Sequence, residues 1–200
     1  GLGDGTTVDN VPNMALVTDE SGTFTVGSTP VTIVGDENVQ FNTHSTGALE
    51  GVESLEGTLA VEGDESLTVN GDEIGIDKAD GNKAPVSIVA GADGIESIGG
   101  LENGDTVSGN SETGLAGVAI EMPSSASESD TSTLTVDDNT YELTNDDDGV
   151  VITPGVGNEP DSVAGLADNS SLKVGEDGTY AVTNEHGDPA ETLDAKAGDI

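Results

Sequence analysis

The stretch Ser132 to Gly149 reads STLTVDDNTYELTNDDDG, and its alternation decides the fold. Leu134 and Val136 fall on one face of a first strand, Tyr141 and Leu143 on one face of a second, with Thr and Glu between them. Period-2 patterning with β-branched and aromatic residues marks a strand with one buried face. Asp137, Asp138 and Asn139 are expected to make the turn, because Asp and Asn tolerate positive φ and bond their own backbone. The unit is a β-hairpin followed by an acidic turn.

The hairpin recurs. Ser66 to Gly81, SLTVNGDEIGIDKADG, sets Leu67 and Val69 against Ile74 and Ile76; its turn contains Asn70-Gly71, a strong hairpin signal, in a loop read as longer than two residues. Ser170 to Gly187, SSLKVGEDGTYAVTNEHG, sets Leu172 and Val174 against Tyr180 and Val182. These twelve apolar residues are expected to point inward. Two further blocks repeat between the hairpins. One is a short apolar strand: PVTIVG at 30–35, PVSIVAG at 85–91 and VVITPG at 150–155. The other is Gly-rich: GVESLEG at 51–57 and GIESIGG at 94–100, echoed by DSVAGL at 161–166. Block order is kept while spacing varies, which is the signature of a repeat protein.

The predicted class is therefore all-β: tandem small antiparallel β modules built on repeated hairpins, with a β-solenoid as the alternative. Clean hairpins favour antiparallel pairing, since a solenoid coil does not fold back within a few residues. PSSASESD at 123–130 opens with a proline and is small and polar throughout. The expected organisation is a β-repeat region at 1–122, a Ser-rich linker at 123–131 and a second β-repeat region at 132–200. Asp188 to Ile200 carries no β signal, and Pro189 to Ala197 is compatible with one or two helical turns or with a frayed end. Both chain ends read as cut from a longer polypeptide or left by processing.

Charge narrows the function. In 200 residues there are 40 acids against 4 basic residues, a formal net charge of −36. Such a surface repels phosphate, so nucleic-acid binding is not expected. Low hydrophobicity with high net charge is also the composition of disordered chains, but a disordered acidic tail has no reason to keep strand alternation in three copies. With no Trp, 2 Phe and 2 Tyr, the core must be built from Val, Leu, Ile and Ala. There are no cysteines, hence no disulfides or thiolate metal sites. No apolar run approaches the length of a membrane-spanning helix.

The acidic turns suggest Ca²⁺, which takes six to eight oxygen ligands. Asp77 and Asp80 in one module, and Asp146, Asp147 and Asp148 in the next, are weak Ca²⁺ candidates. None sits in a regular Asp-x-Asp-x-Asp-Gly loop, and Asp and Gly also make ordinary turns on a solvated edge. His44 and His186 read as exposed loop histidines. No Gly-x-Ser-x-Gly elbow, phosphate loop or His-Glu-x-x-His helix occurs, so no catalytic residue is assigned and the chain is not expected to be an enzyme.

Ile98 to Val107 and Leu134 to Gly149, a Gly-Asp-Thr-Val turn and a Leu-Thr-Val hairpin ending in Asp-Asp-Gly, resemble the tandem β-strand repeat regions of very large bacterial cell-surface proteins and adhesins. The resemblance implies an extracellular, stalk-like or filament-forming role, with self-association or neighbouring repeats as partners, and no catalytic residues. An adhesive module that takes up Ca²⁺ or a host or carbohydrate surface is the alternative.

Overall fold

The computed structural model describes residues 1–35, 38–62, 64–79, 84–110, 114–124, 130–137, 139–144, 149–156, 161–166, 170–174, 180–183 and 193–195, with backbone alone at 65, 180–183 and 193–195. The first half supplies β1 (Thr7–Val8), β2 (Ala15–Val17), β3 (Gly22–Val26), β4 (Thr29–Val34), β5 (Gln40–Thr43), β6 (Leu49–Glu53), β7 (Gly57–Val61), β8 (Glu65–Val69), β9 (Asp72–Asp77), β10 (Val86–Gly91) and β11 (Gly94–Gly99). The second supplies β12 (Thr106–Gly109), β13 (Ala119–Glu121), β14 (Thr131–Val136), β15 (Asn139–Thr144), β16 (Val151–Thr153), β17 (Asp161–Ala164), β18 (Ser171–Val174), β19 (Tyr180–Thr183) and β20 (Leu193–Ala195). No helix occurs among the described residues, and none there is long and apolar enough to cross a membrane.

These strands form two ten-stranded sheets. The first runs β1-β3-β4-β7-β10-β11-β13-β16-β17-β20, the second β2-β5-β6-β8-β9-β12-β14-β15-β18-β19. Both advance strictly in chain order. The chain visits one sheet, crosses to the other and returns to the growing edge. At about 4.8 Å per strand, ten strands extend each sheet by about 43 Å.

Strand polarity follows from the length of each visit. Where the chain makes one strand in the opposite sheet before returning, it has completed a coil, and the neighbours are parallel: β1/β3, β6/β8, β11/β13 and β12/β14. Where it makes a hairpin there, it returns reversed, and the neighbours are antiparallel, as in β4/β7, β7/β10, β9/β12 and β15/β18. The architecture thus combines the hairpins expected from the sequence with solenoid-like crossings, and the hairpins feed two common sheets.

Two of the three repeated blocks each keep to one sheet. The three Ser-started hairpins become β8–β9, β14–β15 and β18–β19, all in the second sheet. The Pro-Val and Val-Val blocks become β4, β10 and β16, all in the first. The Gly-rich Glu-Ser blocks, which carry no clear alternation, are strands as well. GVESLEG ends β6 in the second sheet and opens β7 in the first, whereas GIESIGG forms β11 in the first.

The hairpin turns are tighter than their sequences suggest. Val69 pairs with Asp72, so Asn70-Gly71 is a two-residue loop, with φ of 50° and 96°. Positive φ at both positions is what a type I′ turn demands and what matches the strand twist. Val136 pairs with Asn139, so Asn139 already belongs to β15. Leu67 consequently faces Ile74, and Leu134 faces Tyr141. The inward face is as expected, because residues two apart along a strand share a face.

Of the twelve residues expected inside, ten are buried to 3% exposure or less: Leu67, Val69, Ile74, Ile76, Leu134, Val136, Tyr141, Leu143, Leu172 and Val174. The side chains of Tyr180 and Val182 lie outside the described set; their backbones pair with Val174 and Leu172. One hydrophobic cluster runs from Phe24 to Val174. Phe24 of the first sheet and Phe41 of the second meet across it, with ring centroids 5.4 Å apart.

The expected linker does not interrupt this core. Residues 125–129 lie outside the described set, but Ser97 pairs with Ala119, Ile120 with Ile152, and Val107 with Val136. The regions 1–122 and 132–200 share both sheets. The reading of 189–197 as helical turns is corrected at 193–195, where β20 pairs with β17. Main-chain pairing to a waiting sheet edge there outweighs the weak local preference of LDA.

Candidate functional site

Asp77 closes β9, is exposed and faces Thr106 of β12. Asp77 and Asp64 line a shallow depression of about 480 Å³ together with Ser66, Gly75, Thr106 and Ser108. Asp80, Asp146, Asp147 and Asp148 lie outside the described residues. Among the described residues no three His, Cys, Asp or Glu side chains are grouped so as to hold a metal ion. His44 is exposed, and its main chain forms a turn by donating to Ala48 O and accepting from Gly47 N. His186 lies outside the described set.

Among the described residues, several acids accept from backbone N–H groups. Each crossing between sheets leaves N–H groups outside the ladders, and these need acceptors. Asp4 Oδ1 accepts from Thr23 N at 2.7 Å, Asp64 Oδ1 from Lys78 N at 2.8 Å and Asp72 Oδ2 from Ile95 N at 3.0 Å. Asp137 accepts from Gly109 N at 2.7 Å and Leu115 N at 3.1 Å. Asp161 accepts from Gly155 N at 2.9 Å and from the hydroxyl of Tyr141, which reaches it from the other sheet. Hydrogen bonds to a charged acceptor are worth about 1.5–3 kcal/mol net. Such acids are joints, each joining a turn or strand end to another segment.

Asp105 is the most enclosed joint. Its side chain is fully buried, accepts from Ala79 N and Glu102 N at 2.9 Å each, and lies 3.8 Å from Lys78 Nζ. Lys78 is 3% exposed and also donates to the carbonyl of Ala84. The other described ion pair between side chains, Lys173 with Glu142, is 41–43% exposed and at most a weak surface contact.

Asn70 and Asp137 occupy equivalent positions, the first residue of each hairpin turn, with φ of 50° and 49°. This left-handed backbone aims both side chains at neighbouring crossings. Asn70 Oδ1 accepts from Leu55 N at 2.8 Å, while its Nδ2 donates to Leu55 O at 2.6 Å and Gly91 O at 2.9 Å. The partners differ: two carbonyls and one N–H at Asn70, two N–H groups at Asp137. That difference explains why one module carries an amide and the other a carboxylate. The sequence signal was available, as both follow the last inward valine of the first hairpin strand, but alone it reads as turn chemistry.

A depression of about 610 Å³ beside Asn70 is lined by Glu53, Ser54, Leu55, Glu56, Gly71 and Ala92. It is polar, open and acidic. Comparison with protein-family models, with characterised proteins and with solved structures gives no match.

Proposed function

We propose that this chain is a structural repeat segment of a larger extracellular surface or filament-forming protein, acting as a stalk, spacer or assembly unit. The observation that carries this reading is the strict chain-order growth of both sheets around one shared core. A fold that lengthens by adding strands to two edges suits a spacer, because each added strand extends the body without rearranging what precedes it. The acids support the same reading: those that are organised serve as joints between crossings, and the remainder give a strongly repelling, soluble surface. The partners under this reading are neighbouring repeats or further copies, and no catalytic step is assigned.

The test is immunogold labelling of intact source cells with antibody raised against the 200-residue chain. Label outside the envelope is expected. Label that appears only after the cells are opened would overturn the extracellular role.

A further inference from the structure

The sequence contains two Asn-Gly pairs, Asn70-Gly71 and Asn103-Gly104. The Asn-Gly bond is chemically weak, because a glycine nitrogen has no side chain shielding it and can attack the preceding carboxamide. We propose that Asn70-Gly71 is a site of spontaneous deamidation, that the fold holds the reaction back through the Asn70 joint, and that the product opens that joint.

The chemistry needs only water. The Gly71 main-chain nitrogen loses its proton and bonds to Asn70 Cγ. The bond from Cγ to the carboxamide nitrogen breaks, and that nitrogen leaves as ammonia with the proton. Water then opens the resulting five-membered imide at either carbonyl, giving aspartate or isoaspartate. The net change is amide plus water to carboxylate plus ammonium, a mass gain of about 1 Da and one more negative charge.

The folded structure opposes the first step. Attack requires the Asn70 side chain to swing over its own following peptide, and three hydrogen bonds to Leu55 and Gly91 hold it elsewhere. Reaction must wait for local opening of the turn. Around Gly71 itself nothing beyond its chain neighbours lies within 4 Å of where a Cβ would stand, so the restraint comes from the side-chain clamp and from the Asn70 main-chain N–H, which donates to Val52 O at 3.0 Å.

The product cannot rebuild what it replaces. A carboxylate has no N–H to give, so Leu55 O and Gly91 O would face a third oxygen across hydrogen-bond distance. Isoaspartate further lengthens the main chain inside a two-residue turn that fixes the register of β8 and β9. Asn103 provides an internal contrast. Its oxygen accepts from Thr133 N and Oγ1, and Gly104 N, the attacking atom there, is tied to Thr133 O. Aspartate at 103 still accepts both bonds, so that product leaves the contacts intact.

The experiment ages the full chain in mildly alkaline buffer, folded and in urea, and follows residue 70 by peptide mapping and isoaspartate detection. Conversion of Asn70 is expected in urea, and at least about tenfold more slowly in the folded chain, as local opening requires. Asn70→Asp is expected to lower the urea midpoint while Asn103→Asp leaves it in place. Equal rates at Asn70 in the two states, no conversion in urea, or an Asn70→Asp midpoint equal to the parent's would each overturn the proposal. The rate comparison uses the parent chain, so it stands even if Asn70→Asp fails to fold.

Discussion

Replacing Asp105 with Ala is the sharpest probe of how this acidic chain holds its crossings. The substitution removes a fully buried carboxylate that accepts from Ala79 N and Glu102 N and faces Lys78 Nζ at 3.8 Å. It leaves a lysine only 3% exposed with the Ala84 carbonyl as its remaining described partner, and strips two N–H groups of their acceptor. Breaking a buried ion pair from one side costs about 3–5 kcal/mol. For a chain of this size, at about 2–4 °C per kcal/mol, the melting point should fall by about 6–20 °C. Lys78→Met should cost less, because Asp105 keeps its two backbone donors and the ammonium no longer has to be desolvated. The double variant should fall short of the sum by about 1–3 kcal/mol, as expected of groups in direct contact.

The assay is urea unfolding of parent, Asp105→Ala, Lys78→Met and the double variant in one fixed salt concentration. Fixed salt matters because each substitution also alters a net charge of −36. Asp77→Ala, at an exposed strand end, serves as the charge-matched control and should stay within about 0.5 kcal/mol of the parent. If Asp105→Ala falls no further than Asp77→Ala, the pair is solvated and the joint contributes nothing.

Three further outcomes follow from the same structure. Tyr141→Phe removes the buried hydroxyl that joins the second sheet to Asp161 of the first, and should cost about 1.5–3 kcal/mol in urea unfolding. Leu134→Ala empties a fully buried position facing Tyr141 and should cost about 2–5 kcal/mol, whereas Thr133→Ala on the outer face should cost far less. With 40 acids against 4 basic residues, melting points should rise with NaCl, whose screening length is about 8 Å near physiological ionic strength. They should rise further in CaCl₂ of matched ionic strength if Asp77, Asp80 and Asp146 to Asp148 take up Ca²⁺; equal melting points in the matched salts would remove the Ca²⁺ reading and leave screening alone.

The sequence made legible whatever depends on period 2. The inward faces of the hairpins are in place at Leu67, Val69, Leu134 and Tyr141 because alternation is a local property of a half-buried strand. Strands without alternation were hidden. GVESLEG and GIESIGG contain a glycine and a glutamate where a β-branched residue would be expected, and they become β6 and β11 because sheet edges on either side supply partners. The fate of the acids was equally opaque. Asp64, Asp72, Asp105 and Asp137 look alike in sequence, and their role as acceptors depends on N–H groups 14 to 28 positions away.

Uneven repeat spacing has a topological explanation. A regular solenoid alternates one strand per sheet and recurs at a fixed period. Here hairpin visits, which use two strands, are interspersed with the single-strand visits β2, β7, β12 and β13. Each single visit makes two flanking strands of the opposite sheet parallel, each hairpin makes them antiparallel, and either leaves the chain at a growing edge. Order is therefore preserved while the interval between equivalent hairpins changes. The same logic explains why GVESLEG and GIESIGG, so similar in sequence, can lie in opposite sheets: what a block contributes depends on which edge is open when the chain reaches it. For these Gly-rich blocks sheet choice is inherited from the preceding visits, and the seven residues of the block do not contain that information.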